Sequence, residues 1–140
     1  MAGLLNTSAP FNSELSMILQ LLALGLVILG FFIAKRKKYA YHGSVLFVAV
    51  LMKTGAILTV MIPVALRIAY TSIPGFNFLF KSHTLLGLIV EISSIYIIAD
   101  WRFQNPGPTC FQRKNWMLGI GMLWITELMI GMLLFMKLYP

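Results

Sequence analysis

Three ionisable side chains, Lys53, Glu91 and Glu127, each stand near the middle of an apolar run. The runs extend from about His42 to Leu66, His83 to Ile98 and Trp116 to Phe135. Each is roughly long enough to cross a hydrocarbon layer of about 30 Å at about 1.5 Å per residue. Consecutive crossings run in opposite directions, so the three mid-run residues share one depth near the bilayer midplane. A lone charge there costs about 2.5–3.5 kcal/mol even on the lenient insertion scale, which predicts that all three turn inward toward one another. If they meet, one lysine and two glutamates leave one excess negative charge, and a shared proton is the least costly way to neutralise it. A shared, exchangeable proton is the hallmark of a relay. The same trio also serves as polar glue, fixing helix register in a bundle that has no hydrophobic drive to associate. A basic residue from a neighbouring subunit would satisfy the leftover charge equally well.

The residues around the trio extend both readings. On the second run Ala49, Lys53, Ala56 and Val60 share a face, with His42 and Arg67 near the same side at opposite ends. Gly87 and Ser94 flank Glu91, and His83 continues that stripe two turns outward; Trp124 and Gly131 flank Glu127. A relay would therefore pass Ser94 in one direction and His83 in the other, with Arg67 and Lys81 as further relay or interface candidates. Pro63 removes the hydrogen bond to the Thr59 carbonyl and predicts a kink. The first run contributes Gln20, Gly25 and Gly30 but no charge.

Metal and haem chemistry is tested by topology. His42 opens the second run and His83 the third, so they lie at opposite membrane surfaces and cannot clasp one haem. A single histidine with methionine is a lesser alternative. His83 with Met61, Met129, Met132 and Met136 falls in the outer half, and imidazole with thioether suits Cu(I), although methionine is also an ordinary filler of apolar helices. Met61, Met132, Met136 and His83 are thus weak metal candidates, and no cofactor is expected. The single cysteine, Cys110, excludes an intrachain disulfide and a CxxC motif. No serine nucleophile, phosphate-binding loop or HExxH signature is present.

The elements that must position these residues follow from the hydropathy pattern. With 140 residues, 59% hydrophobic and 11% charged, the chain departs from soluble usage, which is nearer a quarter charged. A run from Leu15 to Ala34 precedes the other three, after a polar lead ending at Glu14, and is followed by Lys35-Arg36-Lys37-Lys38. Positive charge after the run rather than before it predicts a retained helix, not a cleaved signal. The net charge of +7 resides mostly in short loops and reads as topology signal, not as nucleic-acid affinity. Lys35, Arg36, Lys37, Lys38, Arg102, Arg113 and Lys114 fall on one side, and Arg67, Lys81 and Lys137 on the other. The positive-inside rule then places both termini outside. Trp101 and Trp116 flank the second inner loop as interfacial anchors, and Asn105-Pro106-Gly107-Pro108 supplies its turn. The outer loop from Arg67 to Lys81, with Tyr70, Phe76, Phe78 and Phe80 around Pro74-Gly75, reads as a headgroup-level aromatic belt or as a docking surface for another subunit.

KRKKYAYHG, ILTVMIP, SHTLLGLI, ADWRF and CFQRKNW together give the chain a texture that resembles small uncharacterised archaeal and bacterial four-helix membrane proteins, some linked to haem-copper oxidase assembly. Members of that group tend to carry a further histidine in the second span, where this chain has Lys53 in LMKTGAIL. The body plan is also similar to accessory subunits of membrane monooxygenase complexes, including those of archaeal ammonia oxidation. The resemblance implies a prokaryotic plasma-membrane protein with no chemistry of its own.

The expectation is an all-α bundle of four transmembrane helices, spanning about 15–34, 42–66, 83–100 and 116–137 in a single domain, with both termini outside. Its partners are the lipid bilayer and other integral membrane subunits. The leading function is a non-catalytic subunit or assembly partner of a respiratory, oxidase or monooxygenase-type complex. The alternative is a small proton-coupled transporter or proton conductor built on Lys53, Glu91 and Glu127, and the third is a copper-handling membrane protein.

Overall fold

The computed structural model describes residues 9–70, 77–103 and 112–139. These are helical almost throughout: α1 (Phe11–Lys35), α2 (Tyr39–Ala56), a π-helical turn (Ile57–Met61), α3 (Ile62–Tyr70), α4 (Asn77–Phe103) and α5 (Lys114–Leu138). The segments α2, the π turn and α3 continue one another, so four helical stretches are long and apolar enough to cross a membrane: Phe11–Lys35, Tyr39–Leu66, Phe78–Trp101 and Lys114–Leu138. The helices run past the apolar runs because in lipid the backbone must satisfy its own hydrogen bonds, and polar residues at a helix end continue the ladder readily.

α1 and α2 form a hairpin closed by Arg36, Lys37 and Lys38. Lys37 takes the left-handed conformation at φ 59°. Its N–H donates to the Ala34 carbonyl at 2.9 Å and that of Lys38 to the Ile33 carbonyl at 3.4 Å, the paired bonds of a Schellman ending. The His42 imidazole then reaches back across the hairpin, its Nδ1 donating to the Gly30 carbonyl at 2.8 Å. Gly30 also lets Leu46 of α2 pack closely, since a Cβ there would lie 3.2 Å from its side chain. Next to this hairpin Trp101 lies against Gly43 with no room for a Cβ. Trp101 thus packs against the hairpin while remaining half-buried, and Trp116 is exposed. Arg113 joins Asp100 at 3.0 Å and ties the start of α5 to the end of α4.

The two halves of the bundle differ. Toward the end that carries Lys35 to Lys38, called here the basic end, Ala23, Ala49, Val50, Val90 and Trp124 form a buried core, backed by Leu26, Val27, Met52, Ile98 and Ile120. Toward the other end, where Ser13 meets the Tyr139 hydroxyl at 3.3 Å, the helices part around a cavity of about 240 Å³. The parting coincides with the π turn. A π turn inserts an extra residue into the helical ladder and redirects the chain. The bend expected at Pro63 thus begins one turn earlier, at Ile57–Met61, and Pro63 follows it in the first turn of α3.

Candidate functional site

Lys53, Glu91 and Glu127 lie at the boundary between the closed half and the open half, and all three are buried. Lys53 belongs to the last turn of α2. Its face carries Ala49 and Ala56, both fully buried, and these small side chains let α2 come close enough for the ammonium to reach across the bundle. Lys53 Nζ donates to Glu127 Oε2 at 2.5 Å. It also stands 4.5 Å from the centroid of the Trp124 ring, one turn away from Glu127 on α5. The ring's negative face completes the cation's surroundings on the side where the core begins.

Glu91 is held differently. The hydroxyl of Thr54, next to Lys53 in the chain, is hydrogen-bonded to Glu91 Oε1. The same hydroxyl lies 2.9 Å from the Val50 carbonyl. One hydroxyl hydrogen between two acceptors makes at best a shared, weaker bond to each. Both are served when Glu91 itself carries a hydrogen and donates it to Thr54, which then donates to Val50. Among the described residues Glu91 Oε2, Glu127 Oε1, Ser94 Oγ and Trp124 Nε1 are buried without a hydrogen-bond partner. The structure therefore brings Lys53 and Glu127 into contact and sets Glu91 beside them through Thr54.

His83 faces the same site from the open half. Its Nδ1 lies 3.2 Å from the backbone carbonyl of Glu127. A carbonyl oxygen only accepts, so Nδ1 carries the hydrogen and, in the neutral ring, Nε2 is left as an acceptor. Gly131 makes room for the ring, since a Cβ there would come within 2.9 Å of His83 Cε1. Gly87 does the same for Glu127, whose Oε1 would lie 3.0 Å from a Cβ. His83, Glu127, Gly87 and Gly131 all line the cavity, together with Ser16 and Gln20 of α1.

The remaining sequence candidates divide. Ser94 is buried one turn from Glu91 toward the basic end. Lys81 is exposed, away from the trio. The side chain of Arg67, most of the aromatic loop that follows it, the Asn105 to Pro108 turn and Cys110 lie outside the described residues. Of the metal candidates, His83, Met61 and Met132 line the cavity, while Met129 and Met136 are exposed on the bundle's outer face. Among the described residues no group of three histidine, cysteine or carboxylate side chains converges on a point that could hold a metal ion. His42 lies at the basic end and His83, expected at the outer surface, lies deeper, beside Glu127; each is bonded to a different backbone carbonyl.

Two features are not evident from the sequence. Glu14, which reads there as the end of a polar lead, is fully buried inside α1 along with Ser16 and Gln20. Its position one turn from the start of the helix is the only signal, because a carboxylate in a first turn is favoured by the helix dipole. Thr54 as the link to Glu91 has no signal beyond adjacency to Lys53. Compared with protein-family models, with curated proteins and with solved structures, the chain matches none.

Proposed function

We propose that the protein is a non-catalytic membrane subunit or assembly partner of a larger respiratory, oxidase or monooxygenase-type complex, in which Lys53 and Glu127 lock the bundle's geometry. The observation that carries the reading is the ion pair itself. The Lys53 ammonium is committed to Glu127 at 2.5 Å and to the Trp124 face, and a packed apolar core lies directly behind it. A cation so held fixes the rotation of α2 against α5 and leaves the lipid-facing surfaces free to meet other helices. The excess of basic residues in the loops next to α1, α4 and α5 supports a placement with both termini outside, and the resemblance in texture to small archaeal and bacterial membrane proteins favours the plasma membrane of a prokaryote.

Native mass spectrometry of the protein, extracted gently from its own membranes, tests this. Companion membrane subunits in fixed stoichiometry are the expected result. A protein that emerges alone, saturated only with lipid, would overturn it.

A second reading, proton handling, is favoured by Thr54, whose single hydrogen stands between two acceptors, and by the bare oxygen of Glu91. Reconstituted vesicles whose proton flux disappears in Glu91→Gln would establish that reading, and flux identical to that of empty vesicles would remove it.

A further inference from the structure

The cavity of about 240 Å³ in the open half has a chemistry of its own, independent of which complex the protein joins. A dry, apolar cavity of about 150 Å³ in a protein core admits a benzene ring, so this one holds a substituted ring with the beginning of a chain. Its walls are suited to a ring. Met17, Met61 and Met132 present thioethers, and Phe80, Phe135 and Tyr139 present aromatic surface. Sulfur packs favourably at the edge of a π system, and aromatic rings stack or meet edge to face.

The polar wall is more selective than the apolar ones. Because His83 Nδ1 is committed as a donor to the Glu127 carbonyl, the neutral ring offers only an acceptor at Nε2. Glu127, on the same wall, has Oε1 buried and unpartnered, and a carboxylate is likewise only an acceptor. Other polar side chains of the cavity are engaged in pairs, Gln20 with Ser16 at 3.4 Å and Ser13 with Tyr139 at 3.3 Å, whereas the two acceptors on the His83 and Glu127 wall call for a ligand whose head donates hydrogen bonds. A quinone carbonyl cannot do so, whereas the hydroxyls of a quinol can.

The geometry points to a binding site for the hydroxylated ring of a membrane-soluble quinol or prenylated phenol, with its hydroxyl directed to His83 and Glu127 and its tail leaving toward the lipid. Recognition is by the reduced, hydrogen-donating form.

The test is ligand-dependent thermal unfolding in phospholipid nanodiscs, where binding to the folded state raises Tm by mass action. The probes are decylubiquinol kept reduced with dithionite, decylubiquinone, and oleyl alcohol, whose single hydroxyl stands on a chain with no ring. A saturable rise with the quinol is expected. The apparent affinity for the quinone should be weaker by about tenfold or more, as befits a lost hydrogen bond to a charged acceptor, and the alcohol, which keeps a hydroxyl but has no ring to pack against the thioethers and aromatic walls, should also bind more weakly. Ala65→Phe fills the cavity and His83→Phe removes the acceptor while keeping a ring. Each variant, once its helicity matches that of the wild type, should lose the quinol-dependent rise. Equal rises with quinol and quinone would overturn the assignment of the head group. An equal rise with oleyl alcohol would make the cavity a lipid site, and a quinol rise that survives Ala65→Phe would place the binding elsewhere; either result overturns the proposal.

Discussion

Breaking a buried ion pair by removing one partner strands the other charge, which typically costs about 3–5 kcal/mol, whereas replacing both with apolar residues is often neutral or stabilising. Lys53→Met and Glu127→Met should therefore each lower the unfolding free energy by about 3–5 kcal/mol, measured by unfolding in mild detergent. The double variant should recover most of that loss. Thr54 allows a separate prediction. If Glu91 carries the hydrogen that lets one hydroxyl serve two acceptors, infrared spectra should contain a protonated-carboxyl stretching band that disappears in Glu91→Gln. Thr54→Val should weaken the fold by about 1–3 kcal/mol, the cost of an orphaned buried polar group, and Thr54→Ser should restore it. At this scale the sequence is informative about depth and silent about contact. Counting along the apolar runs brings Lys53, Glu91 and Glu127 to one level. Which carboxylate the lysine meets depends on helix rotations of a few tens of degrees. Glu14 is deceptive because a carboxylate just before an apolar run looks the same whether it caps a helix in water or is buried inside a bundle.

The helices themselves are legible because lipid demands long apolar stretches, and little else produces them. Their rotations are not, since a helix apolar all round carries no stripe to show which side faces its neighbours. Glycines illustrate this. Gly25, grouped in the sequence with Gln20 and Gly30, has nothing within 4 Å of the point where a Cβ would stand, and the same holds for Gly55. Gly43 and Gly131 are the tightest sites of close approach, to Trp101 and His83. Gly25→Ala and Gly55→Ala should leave stability unchanged or raise it by roughly 0.5–1 kcal/mol through helix propensity. Gly43→Ala should lower it by about 1–3 kcal/mol, the usual range for overpacking, because the indole ring has to be displaced. Thermal unfolding of the four alanine variants, with Gly131→Ala expected to side with Gly43→Ala, checks the assignment of faces. The π turn is only half visible: Pro63 signals a disturbed ladder, but the extra residue is inserted upstream of it.

For the whole molecule, the basic loops predict an orientation that the lone cysteine can report. Cys110 lies between α4 and α5, on the side of Lys35 to Lys38 in the proposed topology. A membrane-impermeant maleimide should leave it unlabelled in intact cells and label it in inside-out vesicles, with full labelling after solubilisation as the control. The opposite pattern would invert the bundle. The asymmetry of that bundle, packed toward the basic end and open toward the termini, is beyond reach of the sequence because a helix apolar all round does not show how closely its neighbours approach. It places the ion pair where a structural lock has most leverage, at the junction where helices change from closely packed to parted. The most direct measurement is native mass spectrometry of Lys53→Met/Glu127→Met beside the wild type, both extracted from native membranes. If the pair serves the bundle and the bundle serves a complex, the two proteins will carry the same companion subunits in the same stoichiometry. A wild type that emerges alone, or a folded double variant that has shed the companions the wild type keeps, would contradict it.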